Sequence, residues 1–253
     1  MKQSELKSFL DEKADLYNRM DFITSDPVQI PHRFTQKEDI EIAGFLAATI
    51  AWGNRKSIIS SANKMMDLMG NAPYDFVMSA TEDDLARLQS FVHRTFNGQD
   101  FAAFVHGLKH VYTEHRGLEA VFARHRNGNG MQQSICEFKK IFFTTTDSPR
   151  THKHVSDPMN NSAAKRINMF LRWMVRDDRR VDLGIWTSIP ASALSCPLDV
   201  HSGNVARKLG LLQRKQNDAK ALAELDATLR KFDPNDPVKY DFALFGLGVF
   251  EGF

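Results

Sequence analysis

Ser162-Ala-Ala-Lys-Arg-Ile-Asn-Met-Phe-Leu-Arg-Trp-Met174 sets the fold class. Ile167, Phe170, Leu171 and Met174 recur at i, i+3, i+4 and i+7, the spacing of a helix with one buried stripe. Ser162 offers an oxygen to cap its start. The same 3.6-residue rhythm runs through nearly the whole chain, and no alternating stretch is long enough to force a sheet. The chain therefore reads as all-α.

Working outward, helices are expected over residues 4–20 (Leu6, Phe9, Leu10, Leu16 and Tyr17 inward), 38–52, 56–69, 73–78, from Thr81, and over 100–115, 117–125 and 131–143. Beyond the quoted stretch they are expected over 200–209, 219–231 and 238–247. The 38–52 segment is so apolar that it should lie at the centre, and Gly53-Asn54 ends it. Two prolines make residues 26–31 an extended loop. Residues 144–161, rich in Thr, Ser, Pro and His, read as a mobile surface loop.

The composition is globular: 253 residues, 42% hydrophobic and 25% charged, with 19 Phe to fill a large core. Two cysteines, Cys136 and Cys196, are too few for a disulfide scaffold or a four-cysteine iron–sulfur cluster, and both read as buried thiols. Residues 1–15 carry four acids and three lysines, unlike a signal peptide, and no apolar run approaches the roughly 18 residues of a membrane span. A cytoplasmic location is expected, without membrane contact. The charge is uneven. Residues 91–182 hold 15 Lys/Arg against 9 Asp/Glu and seven of the nine histidines. Such a segment suits phosphates, and it equally suits a solvated helical surface.

Two residues stand out chemically. Lys165 falls in the first turn of its helix, at the positive end of the dipole and beside Arg166, and both effects disfavour its ammonium form. A nucleophilic amine requires that; out of context the residue is equally an ordinary surface lysine. Asp199, in Pro197-Leu-Asp-Val-His-Ser-Gly-Asn-Val-Ala-Arg207, immediately precedes a helix with Val205, Leu209 and Leu212 inward. It reads as an N-cap, and a capping carboxylate held ionised by backbone N–H groups also suits a cationic sugar transition state.

Leu198-Asp-Val-His-Ser-Gly-Asn-Val-Ala-Arg207 resembles the aspartate segment of the helix-hairpin-helix DNA glycosylases. The stretch Ile42-Ala-Gly-Phe-Leu-Ala-Ala-Thr-Ile-Ala-Trp-Gly-Asn-Arg-Lys-Ser57 is similar to their early core helix, and Lys239-Tyr-Asp-Phe-Ala-Leu-Phe-Gly-Leu-Gly248 to their closing helix. His93-Arg-Thr-Phe-Asn-Gly98, Lys165-Arg166, Val181-Asp-Leu-Gly-Ile-Trp186 and Pro197-Leu-Asp-Val-His201 together resemble a bacterial family of unassigned function. The nearest characterised pattern is the archaeal 8-oxoguanine DNA glycosylase, with a lysine at a helix start and an aspartate a little over thirty residues later, as Lys165 and Asp199 stand here. The sequence departs from endonuclease III-like members in having only Gly184, and no Gly-x-Gly hairpin, between those two residues.

The resemblance implies a single helical domain, 1–253, with two subdomains flanking a cleft, 38–143 and 1–37 plus 144–253, and a hairpin remodelled or absent. It implies base excision on duplex DNA, with Lys165 attacking the sugar and Asp199 assisting, on an oxidised purine such as 8-oxoguanine. Trp52, Asn54, Arg55, Lys56, Arg94, Trp173 and His201 are the expected contacts to DNA or base, Trp52 as a wedge or as core. No metal and no cofactor are expected. His106 and His110 have a metal-compatible i, i+4 spacing but no completing carboxylate motif, and no phosphate loop, nucleophile elbow or dinucleotide fingerprint is present. The competing expectation is a helical module that binds nucleic acid without catalysis.

Overall fold

Residues 40–50 are buried at every position, as an all-round apolar helix must be. The computed structural model describes residues 2–126, 128, 130–146, 148–178 and 180–253. Among them the helices are α1 (Gln3–Tyr17), α2 (Met20–Thr24), α3 (Lys37–Thr49), α4 (Arg55–Leu68), α5 (Pro73–Ser79), α6 (Glu82–Leu88) and α7 (Gly98–His115). They continue as α8 (Leu118–Arg124), α9 (Gln132–Phe142), α10 (Lys165–Val175), α11 (Val200–Lys208), α12 (Ala219–Phe232) and α13 (Tyr240–Phe250). The all-α reading holds, with one addition. Val92–His93 and Phe96–Asn97 pair as a two-stranded hairpin, turned at Arg94 in the left-handed region (φ +52°).

Local chemistry explains several departures from the expected boundaries. The first helix stops at Tyr17, and Ala14 rather than the exposed Leu16 joins Leu10 inside. Residues 26–31 are not extended: Pro27 and Pro31 each open a 3-10 turn, and Asp26 caps the first by accepting from the Val28 N–H at 3.1 Å. Residues 144–161, of which Asp147 lies outside the described residues, hold 3-10 turns at Thr151–His154 and Pro158–Asn160. Thr151, His154 and Val155 there are buried. The anchor is Asp100, whose carboxylate accepts from Arg150 Nη1 at 2.6 Å and Thr151 Oγ1 at 2.9 Å. Ser162 does not cap α10. Its oxygen accepts from the Ala164 N–H at 3.1 Å, and Ala164 itself enters the helix in the left-handed region (φ +45°).

Two apolar cores form. The larger gathers α3 to α10 around Phe45, whose ring meets Phe104, Phe138, Phe142 and Phe170. The smaller joins α1, α11, α12 and α13 through Leu10, Val205, Leu225 and Leu244. The seam of α10 belongs to the larger core, so the cores do not divide between residues 143 and 144. Helix α1 lies along α13: Tyr17 fills the place a side chain at Gly246 would take, 2.1 Å from an added Cβ. Lys13 and Tyr17 bond Glu251, while Asp11 accepts from Tyr240 Oη at 3.0 Å.

Asp226 on α12 gives the smaller core a pH dependence. Burial pushes its carboxyl from 3.8 up to about 6, against the opposing Cys196 N–H and Arg230. An acid whose folded pKa is raised favours the protonated folded state, so its cost is full above about 6 and gone below 3.8. Thermal unfolding should therefore show about 1 kcal/mol more stability from this group at pH 5 than at pH 7.5. Asp226→Asn should flatten that slope, and an unchanged slope in the variant would contradict the assignment.

Candidate functional site

Helix α10 begins on the surface of a cleft of about 840 Å³. The left-handed Ala164 turns the chain so that Lys165, the first helical residue, faces the cleft, while Ile167 and Phe170 enter the core. From the opposite side comes Asp199, the N-cap of α11. Its Oδ1 accepts from the His201 and Ser202 N–H groups at 2.9 and 3.0 Å, and its own N–H donates to Ser202 Oγ at 2.9 Å. Asn217 Nδ2 holds the Asp199 carbonyl at 2.8 Å. With Oδ1 committed to the cap, Oδ2 stands 3.7 Å from Lys165 Nζ. The capping and catalytic readings of Asp199 thus use different oxygens. Both side chains keep contact with solvent, at 29% and 25% exposure, so the pair is neither sealed nor free.

The α3–α4 turn supplies a third wall. Trp52, Asn54 and Arg55 line the cleft there. Gly53 has φ +104°, and an added Cβ would lie 2.4 Å from Arg94 Nη2, so only glycine lets Arg94 cross the turn. Asn54 caps α4 by accepting from the Lys56 N–H at 3.0 Å, and the Lys56 side chain is exposed. Trp52 is half-buried and bracketed: His93 meets it edge-on at 5.4 Å, His154 lies parallel at 6.0 Å, and the Arg166 guanidinium lies 4.6 Å from its ring. Burial pushes His154 down to about 4 and lowers His93, so both are neutral at neutral pH. Burial also lowers Arg166 to about 10, which leaves it charged, and it donates to the Thr49 carbonyl at the end of α3.

Of the residues expected at the site, Lys165, Asp199, Trp52, Asn54, Arg55 and His201 line one cleft. Lys56 and Arg94 are exposed and are not among the lining residues, although Arg94 packs against Gly53, which is one. Trp173 does not reach it: the ring is fully buried in the larger core, so base contact by Trp173 is corrected to packing. Residues 167–175 are all buried, so α10 is covered on nearly every side there.

The sequence reading missed the floor of the cleft. Asp26, Arg166, Arg172, Asp241, Phe22, Phe242 and Phe245 all line it. Arg172 donates through Nε to Asp182 at 3.1 Å and through Nη1 to Asp241, with its guanidinium 4.3 Å from the Phe242 ring. Burial pushes Asp241 up to about 6 although Arg172 opposes it, and burial likewise raises Asp26. The Lys165 ammonium acts on both carboxyls through space, favouring their charged forms. A signal existed in the sequence. Asp241 is the only acid in Tyr240–Phe250, and Arg172 interrupts an apolar run. Charged residues so placed are buried only with partners.

Residues 26–250 match the family described as Protein of unknown function (DUF2400). The chain belongs to this family. The DUF2400 match spans every residue that lines the cleft except Phe22 on α2, and leaves α1 outside. No curated protein and no solved structure matches the chain. The described residues between α10 and α11 hold one 3-10 turn, Ala191–Ala193, and no α-helix. They pack instead on the end of α10, where the Leu183 and Trp186 N–H groups donate to the Trp173 and Met174 carbonyls at 2.8 Å. Among the described residues no helix is long and apolar enough to cross a membrane.

Proposed function

We propose that the cleft is the active site of a DNA glycosylase with abasic-site lyase activity on an oxidised purine such as 8-oxoguanine, with Lys165 as nucleophile and Asp199 assisting. The observation that carries this reading is the 3.7 Å approach of an amine and a carboxylate, thirty-four residues apart in the chain, within one cleft of about 840 Å³. The ammonium, which keeps contact with solvent, sheds a proton to water, so that Asp199 stays ionised. The amine lone pair then bonds to the sugar C1′ as the C1′–N bond breaks, and the departing base takes up a proton. Asp199 offsets positive charge on the sugar meanwhile. Ring opening leaves an iminium, from which elimination of the 3′ phosphate nicks the strand. Lys56 and Arg94 beside the α3–α4 turn, with Arg166 inside the cleft, supply positive charge for the phosphate backbone.

Borohydride reduces an iminium to a stable amine, so it tests the reading directly. The full chain is incubated with borohydride and duplexes carrying 8-oxoguanine or an abasic site. A covalent protein–DNA species on a denaturing gel is expected. Salt-dependent binding with no capture would replace the enzyme by a non-catalytic nucleic-acid-binding module, and absence of binding at low salt would remove both.

A further inference from the structure

Arg55 has an unmet hydrogen bond. Its guanidinium lies 4.7 Å from the Phe245 ring and 5.9 Å from both Phe22 and Phe250, a cage that fixes its direction. Nη2 is buried and has no hydrogen-bond partner among the described residues. The facing anion, Asp26 Oδ2, is 4.0 Å away, beyond hydrogen-bond reach. Asp26 Oδ1 is committed to the Val28 N–H, while Oδ2 accepts no hydrogen bond among the described residues. Both side chains line the cleft that holds Lys165. A buried charged donor beside an uncommitted acceptor is costly unless a ligand completes both.

Building on the base-excision reading, we infer that Arg55 Nη2 and Asp26 Oδ2 form a donor–acceptor pair that reads the edge of an extruded base. The pair selects bases with a carbonyl oxygen beside a ring N–H, as in guanine, hypoxanthine and uracil. The carbonyl accepts from Arg55, and the ring N–H donates to the Asp26 carboxylate. Adenine and cytosine present the reverse edge, an amino group beside an unprotonated ring nitrogen. Against this pair the amino group meets a donor and the ring lone pair meets a carboxylate, so both contacts repel. Phe245, partly exposed in the cleft lining, offers an apolar ring beside the base.

The test offers one base at a time. Labelled short strands built of tetrahydrofuran abasic analogues carry a single hypoxanthine, adenine, uracil or cytosine nucleotide. Their binding to the full-length Lys165→Gln chain is read by fluorescence anisotropy, so that no turnover intervenes. Hypoxanthine over adenine, and uracil over cytosine, should each bind at least ~10-fold tighter, because a site built to hydrogen-bond one edge rejects its opposite. Arg55→Met in that background, checked for folding by circular dichroism, should bring each pair within about 2-fold of equality. The base ratios with Arg55 in place carry the test even if the Met variant unfolds, and ratios of unity or below would overturn the inference. Ratios as expected with no borohydride capture would keep the base reader and remove the excision chemistry. Capture without a ratio would do the reverse, and no binding to any strand would end both.

Discussion

Lys165→Gln is expected to abolish borohydride capture, lowering it by about 10³-fold or more, because glutamine keeps the length but has no basic lone pair. The fold should persist. Lys165 is partly exposed and its one ion pair among the described residues, with Asp199, spans 3.7 Å, so losing it should change stability by less than about 1 kcal/mol. Asp199→Asn refines the result. Asparagine caps a helix as well as aspartate, so the His201 and Ser202 N–H groups keep their acceptor while the charge disappears. Single-turnover base release should fall roughly 10²- to 10³-fold with little change in melting temperature. A Lys165→Gln chain that is still captured would move the nucleophile elsewhere.

The largest effect on stability is expected at Arg172. Its guanidinium is the shared cation for Asp182 and Asp241, both buried beneath the cleft. Burial alone would lower its pKa, but the two carboxylates outweigh this and raise it. Arg172→Met keeps much of the volume over Phe242 and strands Asp241, while Asp182 keeps Arg176 Nη1 at 3.1 Å. Breaking such a pair from one side costs about 3–5 kcal/mol, or roughly 10 °C in melting temperature for a chain of this size. Circular dichroism at pH 7 measures it. Adding Asp241→Asn should restore part of the loss, because the stranded charge is then gone. An unchanged melting temperature in Arg172→Met would show that Asp241 finds another partner or water.

The helices and the amine–acid pair were legible because they are local. Ile167, Phe170, Leu171 and Met174 announce a buried face, and Asp199 announces a cap, from a few residues each. Their meeting in one cleft rested on resemblance, since spacing along a chain does not fix distance in space. Arg172 and Asp241 are marked for burial by their apolar neighbours, but nothing local names the distant partner each meets, and Asp26 carries no such mark. Asp241 and Arg172 lie 69 residues apart and touch only after α10 and α13 have packed. The 144–161 segment was misread for the same reason. Arg150 and Thr151 bond Asp100, on a helix some fifty residues earlier, and tie down a segment whose other polar residues largely face solvent.

Helix α1 lies outside the stretch shared with the family, yet Tyr17, Lys13 and Asp11 clamp α13 from behind. The inner side of that same helix carries Asp241, Phe242 and Phe245 into the cleft. Changes in this N-terminal strut would therefore widen or narrow the chamber while leaving every residue that touches its contents untouched. Relatives with identical linings and divergent first helices would then differ in what they admit.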